Sequence, residues 1–161
     1  GKIFHVQVML EMCKITGHYI HETDFKCRPH TMHDFYPVVI NGEKIIGEGK
    51  SSLFAQWAYS TYGEHTAWRN FSRKYRSGKI YLIVPLDGKV WAVNTADLLN
   101  ALEDYDDKPA ESWFRYVPAK GQIQTKSTVK QTADRKAWIE NSVKYLGYDW
   151  FESVKAGRWV K

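Results

Sequence analysis

Residues 33–50 read HDFYPVVINGEKIIGEGK, and the organisation of the chain follows from this stretch. FYPVVI (35–40) and EKIIGEGK (43–50) are rich in β-branched and apolar residues and flank Asn41-Gly42. That dipeptide suits a two-residue type I′ turn, whose central positions both need positive φ. The stretch therefore predicts a β-hairpin. In a strand successive side chains alternate faces, so Glu48 and Lys50 share one. Asp34 opens the hairpin about as far from the turn as Glu48 closes it, which brings two carboxylates and an ammonium to one end of it.

Outward from the hairpin, an N-terminal helix is expected over about Ile3 to Ile15. Val6, Met9, Leu10 and Cys13 fall on one apolar face, and Gly17 stops it. HYIHETDF (18–25) reads as a short strand, and KCRPHTMH (26–33), with Pro29, as a loop. After the hairpin, Ser51 or Ser52 is placed to cap a helix carrying LFAQWAYSTY (53–62). Beyond Gly63 a helix resumes with Trp68, Phe71 and Tyr75 on one face and ends at Gly78. A second hairpin follows as KIYLIVPL (79–86), Asp87-Gly88 and KVWAVN (89–94). Thr95 is the expected cap of a helix over ADLLNALEDY (96–105), with an acidic loop from Asp104 to Lys108. Residues 112–130 suggest strands. A last helix over Ala133 to Leu146 is read with Trp138, Val143 and Leu146 inward, and the aromatic tail 148–161 packs back. The predicted fold is α/β, a single mixed sheet flanked by helices.

The chain has 161 residues, 43% hydrophobic and 25% charged, which fits one globular domain and excludes a disordered tail or a coiled coil. Apolar runs fall far short of the roughly 20 residues of a membrane helix. No export signal is visible at the N-terminus, so a cytoplasmic protein is expected, with Cys13 and Cys27 reduced. The 23 basic and 18 acidic residues give a net charge of +5, the mild basicity expected of a nucleic-acid partner. Arg69, Arg73, Lys74, Arg76 and Lys79 concentrate it; positions 69, 73 and 76 share a helix face suited to phosphates. Lys120, Lys126, Lys130, Arg135 and Lys136 form a more diffuse patch. No P-loop, GxGxxG or GxSxG motif occurs.

Two carboxylates and a lysine are what metal-assisted phosphodiester hydrolysis requires. Asp34 and Glu48 supply hard oxygen ligands for Mg²⁺, and the carbonyl of Gly49 can add another. The metal polarises the phosphate and acidifies its water, while Lys50 orients that water or stabilises the charge developing on phosphorus.

At this point the sequence resembles the PD-(D/E)XK nuclease superfamily, through His33-Asp34-Phe35-Tyr36 and Glu48-Gly49-Lys50. The family's proline before the aspartate is His33 here, and its usual apolar residue between acid and lysine is Gly49. The resemblance covers roughly residues 4–93 and implies a restriction-endonuclease-like core (α-β-β-β-α-β), with 94–161 as a C-terminal helical extension. Small Holliday-junction resolvases are similar in layout. They imply a further metal ligand on the first helix, matched by Glu11, and a Gln or His on the helix after the lysine, matched by Gln56 or His65. The implied activity is a Mg²⁺-dependent endonuclease acting on double-stranded DNA, with Mn²⁺ as an alternative metal and a homodimer as a natural arrangement for a symmetric duplex.

Other readings compete. Glu43, Lys44, Glu48 and Lys50 on a surface hairpin would make a solvated face of ion pairs. The same stretch resembles part of a double-stranded-RNA-binding domain, a non-catalytic alternative, although the following segment lacks that domain's paired lysines. An interaction module using the aromatic tail is a third. His18, His21, Cys27, His30 and His33 are zinc-ligand types within sixteen residues, but their spacing matches no structural zinc site.

Overall fold

The computed structural model describes residues 2–17, 38–40, 43–49, 53, 56–58, 73, 75–117, 122–125, 133–156 and 158–159. Among these are four α-helices and nine strands: α1 (Lys2–Thr16), β1 (Val38–Ile40), β2 (Glu43–Gly49), β3 (Gln56–Ala58), β4 (Ile80–Leu86), β5 (Lys89–Asn94), α2 (Thr95–Asp106), β6 (Phe114–Val117), β7 (Gln122–Thr125), α3 (Ala133–Leu146), β8 (Tyr148–Asp149), α4 (Trp150–Ala156) and β9 (Arg158–Trp159). The protein is mixed α/β. A six-stranded sheet runs in the order β8-β5-β4-β2-β1-β9, and a three-stranded sheet in the order β3-β7-β6.

Both predicted hairpins form. β1 and β2 pair antiparallel with Ile40 opposite Glu43, so only Asn41-Gly42 connects them. β4 and β5 pair with Leu86 opposite Lys89, and Asp87 and Gly88 take φ of 52° and 74°, the double positive φ of a type I′ turn. The hairpins then join through a parallel pairing of β2 with β4, from Ile46 beside Ile80 to Gly49 beside Ile83.

The alternation along β4 and β5 builds two cores. Ile80, Leu82, Val84 and Val93 face a cluster with Leu98, Leu99 and Leu102 of α2 and Ile139 and Val143 of α3. Phe114 and Ile123 of the small sheet close the same cluster. Ile83 and Ala92 face the other way, against Phe4, Val8 and Met12 of α1 and Trp150 and Val154 of α4. With helices on both faces, β4 is apolar nearly throughout rather than alternating. Each buried Val, Leu, Ile, Phe and Met in these two cores contributes about 1.5–3 kcal/mol through apolar burial.

Several expectations need correction. LFAQWAYSTY is not one helix, because Gln56–Ala58 is a strand paired antiparallel with β7. The cap of α2 is Asn94, whose side chain accepts from the N–H groups of Ala96 and Asp97. Thr95 is buried instead, donating its hydroxyl to the Tyr75 and Ile80 carbonyls. Residues 104–106 complete the last turn of α2 rather than an acidic loop, and the helix ends at Asp107 with φ 53°. On α1 the buried face is Phe4, Val8 and Met12, while Val6 and Leu10 are exposed. That helix is apolar almost all round, so composition does not fix its phase. On α3 the inward residues are Ile139, Ser142 and Val143, and Trp138 is displaced to the rim. The C-terminal region is more than a helical extension: β8 and β9 form the two edges of the main sheet. The predicted strand at 18–25 and loop at 26–33 lie outside the described residues.

Candidate active site

Glu48 and Gly49 close β2, which pairs with β1 over 43–45 and with β4 over 46–49. Glu48 stands beside Leu82 in the parallel register and Gly49 beside Ile83. Gly47 is buried and Gly49 half-buried. These glycines are the register partners of Tyr81 and Ile83, both in the cluster formed with α1 and α4. Having no side chains, they add none to that face of β2 at these two positions. Parallel strands direct their carboxyl ends the same way, and in open α/β sheets ligands bind at those ends.

Glu11, the expected ligand from the first helix, belongs to the helix packed on the Ile83 and Ala92 side of the sheet, the face opposite to that of Leu82, the register partner of Glu48. Glu11 lines a cavity of about 1060 Å³ together with Gln7, Pro85, Lys89, Val90 and Phe151, among others. Pro85 lies two residues beyond Ile83 on β4, about 7 Å along the strand. The packing of Val8 and Met12 against Ile83 and Ala92 fixes α1 across the sheet and so sets the position of Glu11. Its carboxylate is 44% exposed and only loosely tied to Lys14, at 3.8 Å. Gln7 and Lys89 join this cavity without any signal in the sequence. They come from a helix and a turn that only tertiary packing brings together.

Asp34 and Lys50 lie outside the described residues, as do Arg69, Lys74, His65 and the group His18, His21, Cys27, His30 and His33. Among the described residues no three His, Cys, Asp or Glu side chains gather to hold a metal ion, and Cys13 forms no disulfide. Gln56, expected on a helix following the lysine, belongs to β3. Its strand pairs with β7, in the sheet that does not contain β2.

The basic stripe divides. Arg73 and Lys79 are exposed at the approach to β4. Arg76 is committed to the framework, its guanidinium paired with Glu103 of α2. Glu103 also accepts the Ala110 N–H at 3.1 Å. That backbone donor, and after it the Arg76 guanidinium, holds the Glu103 carboxyl below the usual glutamate range against the opposing effect of partial burial. Arg76 thus fastens the segment before β4 to the end of α2, a role its place in a run of basic residues did not reveal.

Among the described residues no helix is long and apolar enough to cross a membrane. Compared with protein-family models, with curated proteins and with solved structures, the chain matches none.

Proposed function

We propose that the protein is a Mg²⁺-dependent endonuclease that hydrolyses phosphodiester bonds in double-stranded DNA, on a restriction-endonuclease-like core. The observation that carries this reading is the position of β2. A hairpin serving only as a solvated face would stand apart from the main sheet, but β2 is built into it, pairing with β1 over 43–45 and with β4 over 46–49. Glu48 stands in the part of β2 that pairs with β4, and Lys50 follows two residues on, so the sequence carries charges of both signs where this strand of the main sheet ends. The parallel alignment with β4, which puts the carboxyl ends of the two strands at one end of the sheet, supports the reading further.

The donor set fits the metal by its chemistry. Asp34, Glu48 and Glu11 offer carboxylates and Gly49 a carbonyl, the hard oxygen ligands that Mg²⁺ or Mn²⁺ takes. Asp34 and Glu48 would hold the ion, which supplies Lewis acidity toward the phosphate. Lys50 orients the attacking water and offsets charge building on phosphorus. Arg73 and Lys79, with Arg69 and Lys74, contact the backbone phosphates, giving affinity that falls with salt. A twofold dimer suits a substrate with two equivalent strands. The alternative of a double-stranded-RNA-binding module is disfavoured by the second hairpin, which continues the sheet directly from β2.

The test is cleavage of plasmid, linear duplex and four-way-junction DNA with Mg²⁺ and with EDTA. Cleavage that requires the metal, and that falls about 100-fold or more in Lys50→Ala while duplex binding and the folding transition are kept, supports the assignment. Cutting in EDTA, or undiminished cutting by Lys50→Ala, removes it.

A further inference from the structure

The seam between α2 and α3, separate from the β2 end of the sheet, forms a second cavity of about 420 Å³ lined by Ala101, Asp104, Trp138, Asn141, Tyr145 and Leu146, among others. Its walls are aromatic and open to solvent. Tyr145 is 89% exposed and Trp138 39%, although the same helix buries Ile139 and Val143. The Trp138 ring is nevertheless held firmly. Its indole N–H donates to the Ala101 carbonyl at 2.8 Å, and its ring centre lies 5.4 Å from that of Tyr105, the two rings tilted by 50°. Such a ring is a preformed contact surface.

The charge of the seam is negative. Asp104 sits in the last turn of α2, which carries no basic residue. The aligned peptide dipoles present their negative end there, so a carboxylate in that turn is disfavoured unless a cation joins it. Neighbouring Glu103 has its compensation in Arg76 and the Ala110 N–H. Among the described residues the Asp104 side chain takes part in no ion pair or hydrogen bond. Lys144 of α3 is engaged elsewhere, with Asp87 in the turn of the second hairpin. The same aromatic cluster already binds a cation internally: Arg135 lies over the Trp113 ring, 4.6 Å from its centre. Among the described residues no cation covers Trp138 or Tyr145.

We infer that the α2–α3 seam docks an arginine side chain from a basic segment of a partner protein. A guanidinium is planar, stacks on an aromatic face and presents several N–H donors at once. It can lie against Trp138 or Tyr145 while donating to the Asp104 carboxylate and the Asn141 side-chain carbonyl. A phosphate backbone would meet repulsion from Asp104, so this face is not an extension of the DNA surface.

The probe is a blocked tetra-arginine peptide, with tetra-lysine, tetra-citrulline and a nucleoside monophosphate as companions. Binding to the full chain is followed through the indole N–H resonance of Trp138. Tetra-arginine is expected to shift that signal saturably, and its neutral citrulline counterpart to bind at least about 10-fold more weakly. Asp104→Asn and Tyr145→Ala, both at the protein surface, are each expected to weaken tetra-arginine by about 5- to 10-fold without altering the folding transition. Tetra-lysine binding as tightly as tetra-arginine would overturn the guanidinium assignment. Equal binding of citrulline and arginine, insensitivity to both substitutions, or a response to the nucleotide alone would overturn the site.

Discussion

The two hairpins of the main sheet start from the same local chemistry and end in different roles. Both turn on a residue pair ending in glycine, and both are antiparallel with a two-residue connection. The second is built for stability: Leu82, Ile83, Val84, Ala92 and Val93 are all fully buried between two helical layers. The first shares its sheet but departs from that pattern at its end, where Gly47, Glu48, Gly49 and Lys50 replace the apolar run. On the proposed function, that exchange of side-chain volume for charge serves catalysis. Turn dipeptides show where a hairpin lies; the composition of its last residues is what sets the two apart.

Substitutions in the two hairpins should separate these roles. Leu82→Ala in β4 is expected to have the largest effect on folding, about 2–5 kcal/mol by chemical denaturation, because it opens a cavity in the core between sheet and helices. Glu48→Gln should leave the denaturation midpoint close to wild type and abolish Mg²⁺-dependent cleavage. A Glu48→Gln protein that unfolds as readily as Leu82→Ala would make the acid a structural group and erase the contrast.

Gly147→Ala should come next. A Cβ there would lie 2.5 Å from the Val143 carbonyl oxygen and 2.9 Å from that of Ala92 in the second hairpin. Both obstacles are backbone, so α3 must shift from β5, at a cost of about 1–3 kcal/mol. A midpoint within error of wild type would show that this contact is slack. Asn94→Ala, which removes the cap where the second hairpin passes into α2, should cost about 1 kcal/mol in the same measurement.

The smallest effect concerns pH. The Glu103 carboxyl is lowered in the folded protein, chiefly by the Ala110 N–H and the Arg76 guanidinium. Its contribution to stability is therefore complete above the unfolded-state value, about 4.3, and is lost as pH falls through the lowered folded value. Glu103→Gln should flatten the acid limb of the stability–pH curve in that window. A limb of unchanged slope would show that the Arg76–Glu103 pair contributes nothing measurable.

What could be read from the sequence follows the range of the forces involved. The hairpins were legible because turn chemistry is local, and α1 and α3 because their periodic segments are long. The strand at Gln56–Ala58 was not, since Leu53, Phe54, Trp57 and Ala58 also satisfy helical spacing, and its partner Gln122–Gln124 is remote in the chain. β8 and β9, two residues each, are too short to show a period of two. Trp138 was misplaced because the true inner face, Ile139, Ser142 and Val143, is rotated by about one residue, roughly 100°, from the most aromatic one. Of the candidate site, the motif and its hairpin were legible. The parallel pairing of β2 with β4 and the seat of α1, which carries Glu11, on the Ile83 and Ala92 face depend on packing between remote segments.

The central claim is that Asp34, Glu48 and Lys50 converge on one divalent ion. A crystal soaked in Mn²⁺ tests it most directly through the anomalous signal of the metal. The account predicts a single strong peak about 2.0–2.6 Å from a carboxylate oxygen of each acid, with the Lys50 ammonium beside it. Carboxylates more than about 8 Å apart, too far to share an ion at those bond lengths, or a peak that touches neither acid, would contradict it.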